Sequence, residues 1–219
     1  MLLRHRGKEP VVDPSAFVAP TATLVGDVRV GPRARVMYGA VLDAEGASVE
    51  VGECAIVCEH AVLRATAAGG TPWPVVLADH VFVGPHATLL GCRVDRCAYL
   101  ATGVTVLQAA RIGAGGSIAV GALVHAGAVV PDELFVPPNM IAVGDPLRLL
   151  PPDDPEALGE AVRSTGFARL AFGVEAVWED RIARYERTAE VRSREFAAHA
   201  DDEVLAGRDR PGSAAGSLI

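Results

Sequence analysis

The chain has 219 residues, half of them apolar but only 5% aromatic, so any core it builds is filled by small aliphatic side chains. A formal net charge of −7, spread along the chain, argues against a nucleic-acid partner. No apolar run approaches the roughly 18 residues of a membrane span, and the opening MLLRHRGKEP has no apolar stretch of signal-peptide length.

Those features suggest a cytoplasmic protein, without membrane contact, whose cysteines Cys54, Cys58, Cys92 and Cys97 stay reduced. With 23 Gly and 15 Pro there is more turn chemistry than a helical protein tolerates, which favours many short strands.

From about residue 11 an aliphatic residue returns every sixth position, usually with a small residue four places after it. The period is read in VGPRAR (30–35), VMYGAV (36–41), VGECAI (51–56), VCEHAV (57–62), LADHVF (77–82) and VGPHAT (83–88). It resumes from LATGVT (100–105) through VHAGAV (124–129). Six is too short for a heptad and too regular for a sandwich. A solenoid of short parallel strands fits: the aliphatic residue points inward, the small one packs at a corner, and Gly, Pro, Asp or His turns the chain between them.

The period breaks around residues 44–50, across 65–74 and by one residue at 89–93; such breaks are loops leaving one face. Trp73, between Pro72 and Pro74, makes the second break a stiff aromatic flap, a candidate cover for a ligand groove. Residues 134–150 close the solenoid, and Pro151–Pro152 marks a boundary. Asp154 reads as an N-cap with Pro155 at the first helical position, opening a helix to about Val162. A longer helix is expected to follow, with Val174, Trp178, Ile182, Tyr185, Ala189 and Phe196 forming an apolar stripe packed on the solenoid wall. The alternating charges of 179–195 read as its solvated face, or as arginines that reach a neighbour's cleft. The expected organisation is a β-helix over 11–150, a helical extension over 151–205 and a disordered tail over 206–219.

The opening VDPSAFVAPTATLVGDVRVG, the run of hexads with its interruption and its shortened Gly-Cys hexad, and the closing VGDPLR together resemble the gamma-class carbonic anhydrase family. The likeness covers about residues 11–150. It implies an all-β, left-handed parallel β-helix with three hexads per coil, assembled as a homotrimer. It also implies a metal held between subunits by three histidines, whose positions fall here on Arg64, Pro85 and Leu90. None of these can replace histidine: arginine has no available lone pair, proline no side-chain donor atom, and leucine is apolar. Metal-dependent carbonic anhydrase activity is therefore not expected. Where the family has Arg-Gly-Asp this chain has Asp43, Ala44 and Glu45, and where it has Gln-Asp this chain has Cys58 and Glu59.

Stacking of coils predicts two corner columns, Cys54–His80–Cys97 and His60–His86. The first has ligand types that suit zinc, if a fourth group converges; otherwise it only packs. The second, with Glu59, could supply a general base, while Asp43, Glu45, Arg64 and Trp73 would bind substrate. His125 reads as structural. Three functions stay open: metal-free binding of, or lyase- or hydrolase-like action on, a small anionic metabolite at the subunit interface; acyl transfer with acyl-CoA as co-substrate; and a non-catalytic assembly role.

Overall fold

A computed structural model describes residues 1–67, 70–175 and 179–205. Strands of two or three residues stack in register into three parallel walls, one of ten strands and two of seven. The long wall is finished by antiparallel strands at each end, Arg148–Leu150 against Ile141–Val143 and Glu203–Val204 against Leu2–Arg4. It is a left-handed β-helix of hexapeptide repeats followed by short helices. The first coil starts ahead of Val11, because Leu2–Arg4 pairs in parallel with Thr23–Val25.

The six-residue period is the core. Val94, Leu100, Val106, Ile112, Ile118, Val124, Val130, Val136 and Ala142 all point inward and are no more than 1% exposed. Earlier coils continue the columns: on the long wall Leu24, Leu42, Leu63 and Leu89 are direct register partners and fully buried. The small residues four places on, such as Ala34, Ala55, Ala61 and Ala87, fill the corners at 0% exposure. Turning there takes a left-handed backbone, and His60, His86, Cys54, His80 and Cys97 all hold φ between 55° and 59°. Asparagine and glycine take that conformation most easily, so these bulkier residues are held in it by the coils above and below.

The first two breaks hold loops, the first ending in strand Val49–Val51, whereas at the third only Gly91 and Cys92 separate strands Thr88–Leu90 and Arg93–Val94. In the second, Thr66 and Trp73 form an antiparallel bridge. Gly91, in the shortened hexad, has no room for a side chain, since a Cβ there would lie 2.5 Å from the Trp73 Cβ.

Helix α1 (Pro155–Thr165) opens as read, with the Asp154 carboxylate accepting from the Ala157 N–H at 3.0 Å, and runs slightly past Val162. The longer helix differs from the expectation. Helix α2 (Phe167–Phe172) stops at Gly173 in the left-handed region, and α3 (Arg181–Phe196) starts afresh behind the Asp180 cap. Most of its apolar stripe does not face the wall: Ile182 is 75% and Tyr185 62% exposed, and Ala189 is exposed as well, although Val174 is buried and the Phe196 ring lies against Arg64 of the wall. The inward face carries Arg184, Thr188, Val191, Arg192 and Glu195. Arg192 on this face forms an ion pair with the solenoid, described below. Trp178 and the 206–219 tail lie outside the described residues.

Candidate functional site at the edge of the long wall

Strands Val41–Asp43, Val62–Arg64 and Thr88–Leu90 lie side by side on the long wall, with Asp43, Arg64 and Leu90 in one row. Two of the three positions implied by the resemblance, Arg64 and Leu90, are thus direct neighbours, and Pro85 lies on the corner that leads into Thr88–Leu90. The donor set does not fit a metal: the three implied positions offer a guanidinium, an isobutyl group and a proline ring, and the carboxylate beside them, Asp43, is taken by Arg64. The Arg64 Nε lies 3.3 Å from Asp43 Oδ2, and the Arg64 side chain is 33% exposed where that of Asp43 is 5%.

The chain's own C-terminal segment closes over this row. Arg192 of α3 grips Glu45 with both terminal nitrogens, at 2.7 and 2.9 Å, and also pairs with Glu195. The Glu45 side chain is 1% exposed. Burial opposes the charge on Arg192, yet the hydrogen bonds and charge of Glu45, then the charge of Glu195, hold its pKa above the ordinary arginine value. Burial pushes the Glu195 carboxyl up, against the pull of Arg192. Phe196 lies between two guanidinium groups, 5.2 Å from Arg64 and 4.3 Å from Arg192. Next along the chain, His199 places Nε2 3.7 Å from Asp43 Oδ2. Asp43 and Glu45, read from the sequence as substrate-binding, are therefore buried and engaged within the chain, while Arg64 keeps an exposed edge.

The other named residues lie elsewhere. His60 and His86 stack at the corner as predicted, ring centroids 5.3 Å apart and both residues exposed, and the His86 N–H donates to the Glu59 carbonyl at 3.0 Å. Gly39 makes the stack possible, since a Cβ there would lie 2.4 Å from His60 Nδ1. This corner begins the strands that end at Arg64 and Leu90, so roughly 13 Å of strand separates it from the Arg64 backbone within one chain. Trp73 donates from Nε1 to the Leu170 carbonyl at 3.2 Å and, with Arg163 and Arg169, lines a cavity of about 670 Å³ apart from the Asp43–Arg64 row.

Cys54, His80 and Cys97 occupy one corner in successive coils, joined by the backbone bonds His80 N to Glu53 O and Cys97 N to Asp79 O. Their ligand atoms do not converge: among the described residues the group of three metal-ligating side chains within 4.8 Å of one another is His5, His199 and Asp202. The Cys54 sulfur instead receives the Arg33 Nε–H at 3.2 Å. His125 is buried beside Phe167, ring centroids 5.7 Å apart, and burial lowers its pKa. Sequence reasoning missed Arg192, His5, His199 and Asp202. The alternating charges of 179–195 were the one available signal, and their arginine reaches this chain's own carboxylate.

No family model matches the chain. Gamma carbonic anhydrase 1, mitochondrial, of Arabidopsis thaliana is 31% identical over 157 residues, covering 68% of this chain and 55% of that protein. Gamma carbonic anhydrase 3, mitochondrial, of the same plant is 39% identical over 112 residues, 48% of this chain and 43% of that one. The chain spans about half the length of these relatives. Among solved structures, a hexapeptide transferase family protein from Anaplasma phagocytophilum superposes with a TM-score of 0.57 at 24% identity, covering 88% of this chain and 96% of that one, a likeness of fold.

Proposed function

We propose that this gamma-carbonic-anhydrase-like hexapeptide-repeat protein forms a homotrimer and binds a small anionic metabolite where Arg64 of one copy meets the Glu59–His60–His86 corner of the next, with no metal at the family's ligand positions. The observation that carries the proposal is Arg64 itself: a guanidinium in a ligand position, with one-third of its side chain open while its carboxylate partner is buried. Such a group repels a cation and pairs well with a carboxylate or phosphate. The roughly 13 Å between Arg64 and the stacked histidines closes only if a second copy supplies one of them. A trimer is further supported by an aromatic strip on one wall, where Phe82 and Tyr99 stack at 5.1 Å and Tyr99 and Phe135 are 50% and 56% exposed.

The exposed His60–His86 stack favours one second reading, acyl transfer, in which a corner imidazole acts as base toward an acyl-CoA. The proposed compartment is the cytoplasm, in keeping with four free cysteines; no helix among the described residues is long and apolar enough to cross a membrane.

Thermal shift with bicarbonate, short carboxylates, phosphate and CoA, alongside native mass, tests the proposal. A small anion should stabilise the wild type, by about 2.7 kcal/mol at a hundred times Kd, and raise its Tm. The gain should vanish in Arg64→Gln/Asp43→Asn, which leaves no buried charge unpaired, and shrink in His86→Ala. Stabilisation by CoA alone would favour acyl transfer, and a monomer with no ligand response would contradict the reading.

A further inference from the structure

We propose that His5, His199 and Asp202 form a structural site for a zinc-type divalent cation that ties the C-terminal segment to the first coil. The three come from opposite ends of the sequence, brought together where Glu203–Val204 pairs antiparallel with Leu3–Arg4. Both imidazole Nδ1 atoms face one carboxylate: His5 lies 2.5 Å from Asp202 Oδ1 and His199 lies 3.0 Å from Oδ2. The rings stack with centroids 4.3 Å apart. Two imidazoles and a carboxylate are a common zinc donor set, one that leaves a fourth position for water. The ligand atoms all lie within 4.8 Å of one another, and binding an ion would open the 2.5 and 3.0 Å contacts with Asp202 toward the about 3.4 Å that separates tetrahedral ligands bound at about 2.1 Å.

Two further observations bear on the site. The His5 side chain is fully buried, and its Nε2 has no hydrogen-bond partner, a state that costs about 1–3 kcal/mol. Coordination would take place at the other ring nitrogen, Nδ1, which faces Asp202. The second is Asp43, whose Oδ2 is 3.7 Å from His199 Nε2. Without an ion the Asp202 carboxylate accepts from both Nδ1–H groups, so a cation here replaces those two protons, and Asp43 is then the carboxylate nearest the ring nitrogen of His199 that keeps its proton.

None of the three ligands stands at a ligand position of the family, although His199 reaches that row through Asp43. In the sheet, Leu3, Val25, Asp43 and Arg64 are successive register partners, so His5 follows a strand that lies three strands, about 14 Å, from the one bearing Arg64. The two readings share Asp43, which lies 3.7 Å from His199 and 3.3 Å from Arg64, but none of the three proposed ligands belongs to the anion site.

The test uses the full-length chain, stripped with a chelator and dialysed against zinc, with metal per chain measured by mass spectrometry and Tm recorded with and without zinc. One equivalent per chain is expected in the wild type, with a rise in Tm. Cobalt(II) in its place should show the absorption of a four-coordinate ion. His199→Ala, at a partly exposed position that should not block folding, and Asp202→Asn should each lose both the metal and the rise. His80→Ala, at the exposed Cys54–His80–Cys97 corner, should keep the metal, because it leaves all three ligands and Asp43 in place. Less than about a tenth of an equivalent in the folded wild type overturns the proposal. So does full retention of metal by His199→Ala and Asp202→Asn together.

Discussion

The solenoid and the helical segment that follows it are held by opposite kinds of contact. Each coil turns aliphatic side chains inward at the sixth position and seals most corners with a small one, so that many buried apolar groups share the load. The C-terminal segment turns Arg184, Arg192 and Glu195 inward and leaves Ile182 and Tyr185 outside. The first arrangement is redundant and insensitive to charge. The second depends on a few specific ion pairs, and those pairs use the very residues, Asp43 and Glu45, that occupy the family's polar positions.

The contrast sets the order of expected effects. Leu63→Ala opens a cavity between coils at a fully buried site and should cost about 2–5 kcal/mol in urea unfolding. Arg192→Ala leaves Glu45 buried without its partner and should cost about 3 kcal/mol, recovered in large part when Glu45→Gln is added. His125 should give a smaller, pH-dependent loss. Because burial depresses its pKa below 6.5, its contribution is complete above that pH and falls away on acidification toward the lower folded value, where the unfolded chain takes the proton first. Thermal melts from about pH 8 to about pH 5 should show a shallower decline in His125→Gln. Ile182→Ser, on the outward stripe, should change monomer stability by no more than about 0.5 kcal/mol; a large loss would mean that another copy covers it.

The solenoid was legible because each inward residue is fixed by neighbours six positions away, a relation visible in one chain. Even the irregular gaps between inward residues, from Leu42 to Val51, from Leu63 to Leu77 and from Leu89 to Val94, fall at the breaks in the period. The corner stacks of His60 on His86 and of Cys54, His80 and Cys97 followed from the same spacing. The place of Arg64 beside Leu90 came only through the family resemblance. The facing of α3 was not legible, because the period of Ile182, Tyr185 and Ala189 describes a stripe without saying what it meets. The pairing of His5 with Asp202 joins residues 197 positions apart, outside any repeat. Nor could spacing reveal that a strand's length separates the stacked histidines from Arg64.

Hydrogen exchange on Arg192→Ala against the wild type tests most directly whether a few ion pairs hold the C-terminal segment on an otherwise self-sufficient solenoid. Faster exchange should be confined to residues 181–205 and to the 43–46 loop beneath them, with the coils from Leu77 to Ala142 unchanged. Unaltered exchange in α3, or loss of protection throughout the coils, would contradict the account.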